Sequence, residues 1–363
     1  MRLLITGATG YVGSRLVCAL LNEGHDVVVT SRDTRKLAKF GWSSQVIKVA
    51  MDADDPASVK KAMADAGQID AVYYLVHAIG QADFANGDRD AARNVAEAAR
   101  DSGVSRIIYL GGFVPSDDKL STHLQSRADV AEGLVIDGGP ELVWLRAAVV
   151  IGAGSTSFEI IRYMADRLPV IPEPEWIANE MDPISIRDAV HYLTAAADSA
   201  LVPAGHYDIS GPDSARYISI LQEYVSAIRM PRLRLPVFGI STRLAGRVGG
   251  MLVPVPASLT EELVTSLDHP MTASEHRIRD LVPPPDGGLT PMREAVRASV
   301  RSPYPRSVCD LDDLHHLADT DPAWAGGDWL RVKRGVVETI GTSIGVATKV
   351  VGALRSGRAN VAS

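Results

Sequence analysis

The residues whose spacing points most directly to chemistry stand near the start of the chain, in Thr6-Gly7-Ala8-Thr9-Gly10-Tyr11-Val12-Gly13. A strand-length apolar run, Arg2 to Ile5, precedes them. Ser14 to Glu23 follows, with Leu16, Leu20 and Leu21 at helical spacing. Each glycine has a separate task. Gly7 lets the backbone turn sharply out of the strand, Gly10 leaves room for a bulky anion to approach the main chain, and Gly13 lets the helix pack close to the strand. The N–H groups and positive end of the helix then suit a pyrophosphate. Strand, glycine turn and helix in this order imply dinucleotide binding, with Gly7, Thr9, Gly10, Tyr11, Val12 and Gly13 as candidate contacts.

Three further points along the chain fit the same ligand. The second strand, His25 to Thr30, ends in Ser31-Arg32-Asp33-Thr34-Arg35-Lys36. An enzyme for NAD usually places a carboxylate here, against the ribose 2′-OH. Arg32 instead can fork onto a 2′-phosphate and Ser31 can donate to it, which favours NADP over NAD. Asp33 keeps NAD open. Asp52 follows the third strand, Gln45 to Ala50, where a carboxylate can accept from the adenine amino group. The fourth strand, Ala71 to Val76, leads into Leu75-Val76-His77. The inner ribose and nicotinamide would lie there, making His77 either a substrate neighbour or a structural histidine.

The elements that position these residues alternate. Helices read at Pro56 to Ala66, Asp88 to Ser102 and Ser121 to Ile136, and strands at Arg106 to Leu110 and Glu141 to Val150. That order implies an α/β fold, a Rossmann-type doubly wound parallel sheet with right-handed crossovers. Residues 1–150 read as the dinucleotide-binding domain, 151–282 as a smaller cap or substrate region partly interleaved with it, 283–330 as an irregular arm, and 331–363 as an amphipathic tail. With 46% hydrophobic residues, the 363-residue chain can bury a sizeable core. Its 37 Lys and Arg against 44 Asp and Glu give a net charge of −7, which argues against nucleic acid as a partner. Cys18 and Cys309, far apart in sequence, read as free thiols in a reducing compartment. The first strand begins at once, leaving no room for a signal peptide, and no uncharged apolar run reaches the roughly 18 residues of a spanning helix. A cytoplasmic chain is the expectation. No metal-ligand spacing is present: His315 and His316 are adjacent and would not share a helical face.

The sequence resembles the short-chain dehydrogenase/reductase superfamily in its extended, atypical branch. The resemblance rests on the glycine loop, Asp52, Arg93-Asn-Val-Ala-Glu-Ala-Ala99, Gly103-Val-Ser-Arg-Ile-Ile-Tyr-Leu110, Trp144-Leu-Arg-Ala-Ala-Val-Val-Ile-Gly152 and Pro183-Ile-Ser-Ile-Arg-Asp-Ala-Val190. It runs over about residues 1–300 and is specific for fold and cofactor, not for substrate. Members with the usual chemistry carry Ser after the fifth strand and Tyr-x-x-x-Lys on the next helix. Here Gly111-Gly112 follows the strand and His123-Leu-Gln-Ser-Arg127 occupies the helix. His123 and Arg127 stand in the register of the Tyr and Lys, so the resemblance makes them candidate catalytic residues, beside His77 proposed from its place after the fourth strand. It also makes Arg127 a cofactor contact, alongside Leu75 and Val76 at the end of the fourth strand.

The same branch implies that Gly152 to Leu168, Asp188 to Ala197, His206 to Ser210 and Tyr217 to Arg229 build a cap over the nicotinamide, with Pro169 to Glu175 a proline-rich loop. Leu235 to Pro256 reads as core or as the wall of an apolar pocket. Asp321-Pro-Ala-Trp-Ala-Gly-Gly327 resembles a linker that in longer relatives leads to a further, lipid-binding-like domain. Val332 to Leu354 reads as a helix with an apolar stripe and basic ends, suited to peripheral membrane contact, a partner subunit or the chain's own core. Three functions follow. The chain is an NADP-dependent oxidoreductase on an apolar carbonyl, enone or quinone-like small molecule; or it is a non-catalytic cofactor-binding sensor or assembly subunit; or it is a nucleotide-sugar epimerase or dehydratase. The last suffers most from the missing Tyr-x-x-x-Lys.

Overall fold

The structure, a computed structural model, describes residues 1–76, 84–114 and 122–335, apart from the side chains of residues 84–86 and 122–123. The elements of the first half are β1 (Arg2–Ile5), α1 (Tyr11–Asn22), β2 (Asp26–Ser31), β3 (Ile47–Ala50), α2 (Pro56–Ala66), β4 (Ala71–Tyr74), α3 (Phe84–Asp101), β5 (Arg106–Gly112), α4 (Thr122–Leu134) and β6 (Glu141–Ala147). After them come β7 (Val150–Ile151), α5 (Thr156–Arg167), β8 (Val170–Glu173), β9 (Glu180–Met181), β10 (Ile184–Ser185), α6 (Ile186–Ala195), β11 (Gly205–Asp208), β12 (Ala215–Arg216) and α7 (Tyr217–Ile228). The remainder holds β13 (Leu233–Pro236), α8 (Thr242–Leu252), α9 (Ala257–Thr265), α10 (Ile278–Leu281) and α11 (Met292–Ser299).

Seven strands form one sheet in the order β11-β6-β5-β4-β1-β2-β3, and every pairing is parallel. Both faces are covered, so the central strands carry apolar residues on each side. Leu3 and Ile5 pack with Leu16, Val17 and Leu20 of α1 and with Leu193 of α6. Leu4, between them, faces the opposite layer, with Val59 and Met63 of α2, Val95 of α3 and Val130 of α4. This is the doubly wound fold that the strand–helix alternation implies.

Four readings of the sequence change. The pieces expected in the cap at residues 188–197 and 206–210 belong to the main layers. β11 extends the sheet beside β6, with Tyr207 level with Leu145, and Arg146 reaches across to Asp208 at 2.6 Å. The proline-rich stretch after Leu168 is not a loop: β8 pairs with β13 in a small separate sheet. Two strands can tolerate Pro172 and Pro236 because a pair has only edges.

The other two concern the arm. Residues 283–330 contain α11 and are otherwise short on regular structure, yet they are fixed at several points. Cys309 is disulfide-bonded to Cys18, their Cα atoms 5.3 Å apart, so the cysteines are not free thiols. The arm runs back across α1, and a separation of 291 residues in sequence hides that proximity. Arg15 and Asp321 form a buried, two-pronged ion pair at 2.8 and 2.9 Å, and Arg15 also donates to the carbonyls of Leu314 and His316. Further on, the linker-like residues are locked in place. Glu159, fully buried on α5, accepts from the N–H groups of Gly154, Gly326 and Gly327 and pairs with Arg162 at 2.8 Å. Asp166 accepts from the N–H groups of Asp328 and Trp329.

Candidate functional site

β1 ends in the glycine loop, and the loop's geometry explains its glycines. Gly7 has φ +70°, and a Cβ there would collide with the Leu75 carbonyl. A Cβ on Gly13 would collide with the Gly7 carbonyl. Gly10 differs: the nearest atom to a Cβ there is the Gly7 carbonyl oxygen at 3.2 Å, so the fold itself leaves a methyl almost enough room. α1 then begins with no side-chain cap and no acidic residue in its first turn. By contrast α2 and α6 are capped by Asp55 and Ser185. An uncapped helix start beside a glycine turn presents N–H donors to an anion, which fits the pyrophosphate of a dinucleotide.

The loop opens on a cavity of about 380 Å³. Gly7, Gly10, Tyr11, Val12, Gly13, Leu75 and Arg127 all line it, so seven of the residues proposed from sequence meet in one place. Leu110, Gly111 and Gly112 at the end of β5 and Ala147 to Val150 after β6 continue the wall. A Cβ on Gly111 would collide with the Trp144 indole nitrogen, whereas one on Gly112 would meet the stem of Arg127 at 3.8 Å. Trp144 therefore demands glycine at 111, and Gly112 widens the cavity beneath Arg127. The Tyr109 hydroxyl donates to the Arg127 carbonyl at 3.1 Å; burial pushes that phenol up to about 12, partly offset by the Arg127 charge, so it stays protonated. The far wall is apolar, with Ile160 and Ile161 of α5, Leu221 of α7, Leu259 and Leu263 of α9, and Met271.

The other proposed residues lie apart from this cavity. Thr9 is exposed on the loop, and Val76 is half-buried beyond β4. Ser31 and Arg32 stand at the end of β2, Arg32 exposed, and Asp52 just after β3 accepts from the Asp54 N–H at 3.3 Å. β2 and β3 are the strands next to β1 on the side away from β4, where an extended cofactor would place its adenosine end. His77 and the side chain of His123 lie outside the described residues, as does the tail beyond Gly335; the backbone of His123 lies in the first turn of α4, one turn before Arg127.

Sequence reasoning missed the neighbours of Tyr11. Its ring stacks on the Arg15 guanidinium, 4.1 Å from centroid to Cζ, and its buried hydroxyl has no hydrogen-bond partner among the described residues. A Cβ on Gly152 would collide with that hydroxyl. The Arg15–Asp321 pair thus fixes a ring that forms part of the cavity. No local signal announces a pairing across 306 residues. The α9 wall was missed too, and the stretch read as core or pocket wall contributes little to either: Val253 and Val255 are buried, but most of α8 and β13 faces outward. Among the described residues no three His, Cys, Asp or Glu side chains gather as a metal site, and no helix is long and apolar enough to cross a membrane.

Residues 7–134 match the NAD(P)H-binding family. An uncharacterised protein of Mycobacterium tuberculosis is 28% identical over 212 residues, 58% of this chain, and the match spans only 22% of that relative's length. A ceramide reductase of Caulobacter vibrioides is 27% identical over 259 residues, 70% of this chain and 78% of the reductase. Among solved structures, the triphenylmethane reductase of Citrobacter sp., complexed with NADP(H), superposes with a TM-score of 0.61 at 19% identity, over 82% of this chain and all of that one. That likeness concerns the fold. Glycine loop, sheet order and the match over residues 7–134 agree on an NAD(P)H-binding domain of Rossmann type, whose fold the solved structures share.

Proposed function

We propose that the chain is an NADP(H)-dependent reductase for an apolar carbonyl, enone or quinone-like small molecule. One observation carries the reading: the glycine loop and an aliphatic wall bound the same cavity, with Arg127 the one charged residue in its lining among the described residues. A bound nicotinamide would supply hydride. The loop and the α1 N–H groups would hold the pyrophosphate, and Arg127 would donate to the ribose from the position where the family keeps lysine. Arg127 cannot shuttle a proton, since it stays charged. His123, one turn earlier on α4, is the proposed proton donor. The aliphatic wall would exclude water and select an uncharged substrate, because a nucleotide diphosphate would ask for more cations than this lining offers. The resemblance to reductases of a ceramide and of triphenylmethane compounds supports an apolar substrate class.

The test is single-turnover mixing of the NADPH-loaded protein with a panel of quinones, enones and long-chain ketones. Oxidation of NADPH by an uncharged member is expected, and His123→Ala should slow it by roughly 10²–10⁴-fold, the usual worth of general acid help, with NADPH affinity little changed. If NADPH binds but no member of the panel consumes it, the chain is a cofactor sensor, the second function open to it.

A further inference from the structure

α8 is folded the wrong way round for a helix on the surface of a water-soluble domain. Its small residues face inward: Thr242, Gly246 and Gly249 are buried. A Cβ on Gly246 would lie 2.9 Å from the Glu261 Cα, and one on Gly250 3.0 Å from the Ala257 Cβ. α8 therefore lies close against α9 on a glycine face. The large apolar residues of α8 are left outside. Leu244, Val248 and Met251 recur at helical spacing and make one exposed stripe, with Met251 81% exposed. Before the helix, Leu233, Leu235 and Phe238 are exposed as well, Phe238 at 78%. These six make up half of the twelve large hydrophobic side chains exposed among the described residues, and a seventh, Val170, sits beside Leu233 in the paired strand. Scattered exposed leucines need no explanation, but a cluster of this kind marks an interaction surface.

Charge identifies the partner. Residues 229–252 contain five arginines and no acidic residue, in a chain whose net charge is −7. Arg243 and Arg247 flank the stripe one turn apart, and Arg229 and Arg234 are also exposed. The acids facing this segment include Glu173, 3.3 Å from Arg234, Glu261, 3.2 Å from Arg247, Asp268, which accepts from the Thr242 hydroxyl at 2.6 Å, and Glu262, whose carboxyl is raised by burial and by Glu261 against the pull of Arg243. They leave the exposed face net basic. An outward apolar stripe edged by arginine is the pattern of a segment that lies in the headgroup boundary of an anionic bilayer.

We infer that residues 229–252, with α8 at their centre, dock this protein on an anionic lipid surface. The placement has a consequence for the site. α9, on which α8 rests, supplies Leu259, Leu263 and Val264 to the cavity wall, so the docked face and the cavity are the two sides of one helical hairpin. The docking is distinct from any contact made by the tail, and its test does not depend on the reductase reading.

The full chain would be floated with vesicles of pure phosphatidylglycerol and of pure phosphatidylcholine. Binding to the first and not the second is expected, weakening as salt rises. Arg243→Ala/Arg247→Ala should lower the partition coefficient by roughly 30-fold, from the field acting on two surface arginines. Leu244→Ser/Val248→Ser/Met251→Ser should abolish binding, with circular dichroism and NADPH affinity unchanged. Either of two results overturns the inference. Variants that float as well as the unaltered chain would assign the binding to the tail or another surface. A chain that ignores both vesicles and sediments as a dimer, broken by the serine variant, would make the stripe a contact between two copies.

Discussion

The glycine loop and the arm hold the same helix, α1, and they do so by opposite means. At its first turn α1 is set by three glycines within seven residues, each answering to an atom close by in sequence or on the adjoining strand. A turn later it is set by Arg15 and Cys18, whose partners Asp321 and Cys309 lie about 300 residues away. The first device is local and repeats a pattern; the second consists of single side chains that mean nothing until the fold brings them together. A phosphate site can therefore be read from spacing, whereas the fixing of its flank cannot. The two devices also differ in what they resist. Replacing a glycine adds bulk where backbone or ligand must pass, while removing Asp321 subtracts a charge that another buried charge needs.

The sharpest way to separate loop function from loop folding is Gly10→Val. Gly7 and Gly13 are required by the protein's own backbone, so substituting either would disturb the fold and report nothing about a ligand. Gly10 has near room for a Cβ in the folded chain, and its bareness is explained by what approaches from outside. Gly10→Val should leave thermal unfolding close to that of the unaltered chain and remove detectable binding of both NADPH and NADH by fluorescence titration. NADPH binding that survived in a folded Gly10→Val would sink the assignment of the loop.

Breaking the other device should cost stability. Asp321 accepts two N–H donors from Arg15 and one from Ala318, and both charged side chains are at most 3% exposed. Asp321→Ala strands Arg15 in a buried place. Removing one partner of such a pair typically costs about 3–5 kcal/mol, to be read from the urea midpoint. Arg15→Met/Asp321→Leu removes both charges and should recover much of the loss, because the penalty lies in the uncompensated charge rather than in the bond. If Asp321→Ala unfolds at the same urea concentration as the unaltered chain, the arm is a loose appendage after all.

What could be read in the sequence follows the same division. The alternation of strand and helix up to Ala147, the glycine turn and the site around Gly7, Gly10, Gly13, Leu75 and Arg127 all rest on short-range periodicity and motif. β11 was legible as a strand but not as the seventh strand of the main sheet, since its pairing with β6 is set by contacts such as Arg146 with Asp208. β8 was lost because Pro172 argues against a strand, and only the two-stranded pairing excuses it. The disulfide escaped because two cysteines distant in sequence carry no sign of their proximity. α8 escaped for a subtler reason. Its apolar content suggests burial, and only the close contact of Gly246 and Gly250 with α9 turns the large side chains outward.

The smallest effect, and the finest use of the comparison, lies at the far end of the cofactor from the arm. On the proposed NADP reading Arg32 is the residue for a ribose 2′-phosphate, since the Ser31 hydroxyl donates to the Asp33 carbonyl at 3.1 Å, and Asp33 is the nearby residue that would favour NAD instead. The structure gives Asp33 other work. Its Oδ1 accepts from the Arg35 N–H at 3.1 Å and from Arg35 Nε at 2.9 Å, and its Oδ2 from Arg35 Nη2 at 3.1 Å. It caps the short helical turn Thr34–Lys39, and the hydrogen bonds from Arg35 hold its carboxyl below the usual range. A carboxylate committed in this way is a poor acceptor for a ribose hydroxyl, while the exposed Arg32 can meet a phosphate. Arg32→Ala should therefore weaken NADPH by about 1.5–3 kcal/mol, the worth of a charged hydrogen bond, and leave NADH nearly unchanged in the same titration. Arg32→Lys should recover only part of the loss, because an ammonium supplies the charge without the fork. Equal weakening of the two cofactors by Arg32→Ala would mean that Arg32 supports the end of β2 and does not choose between them.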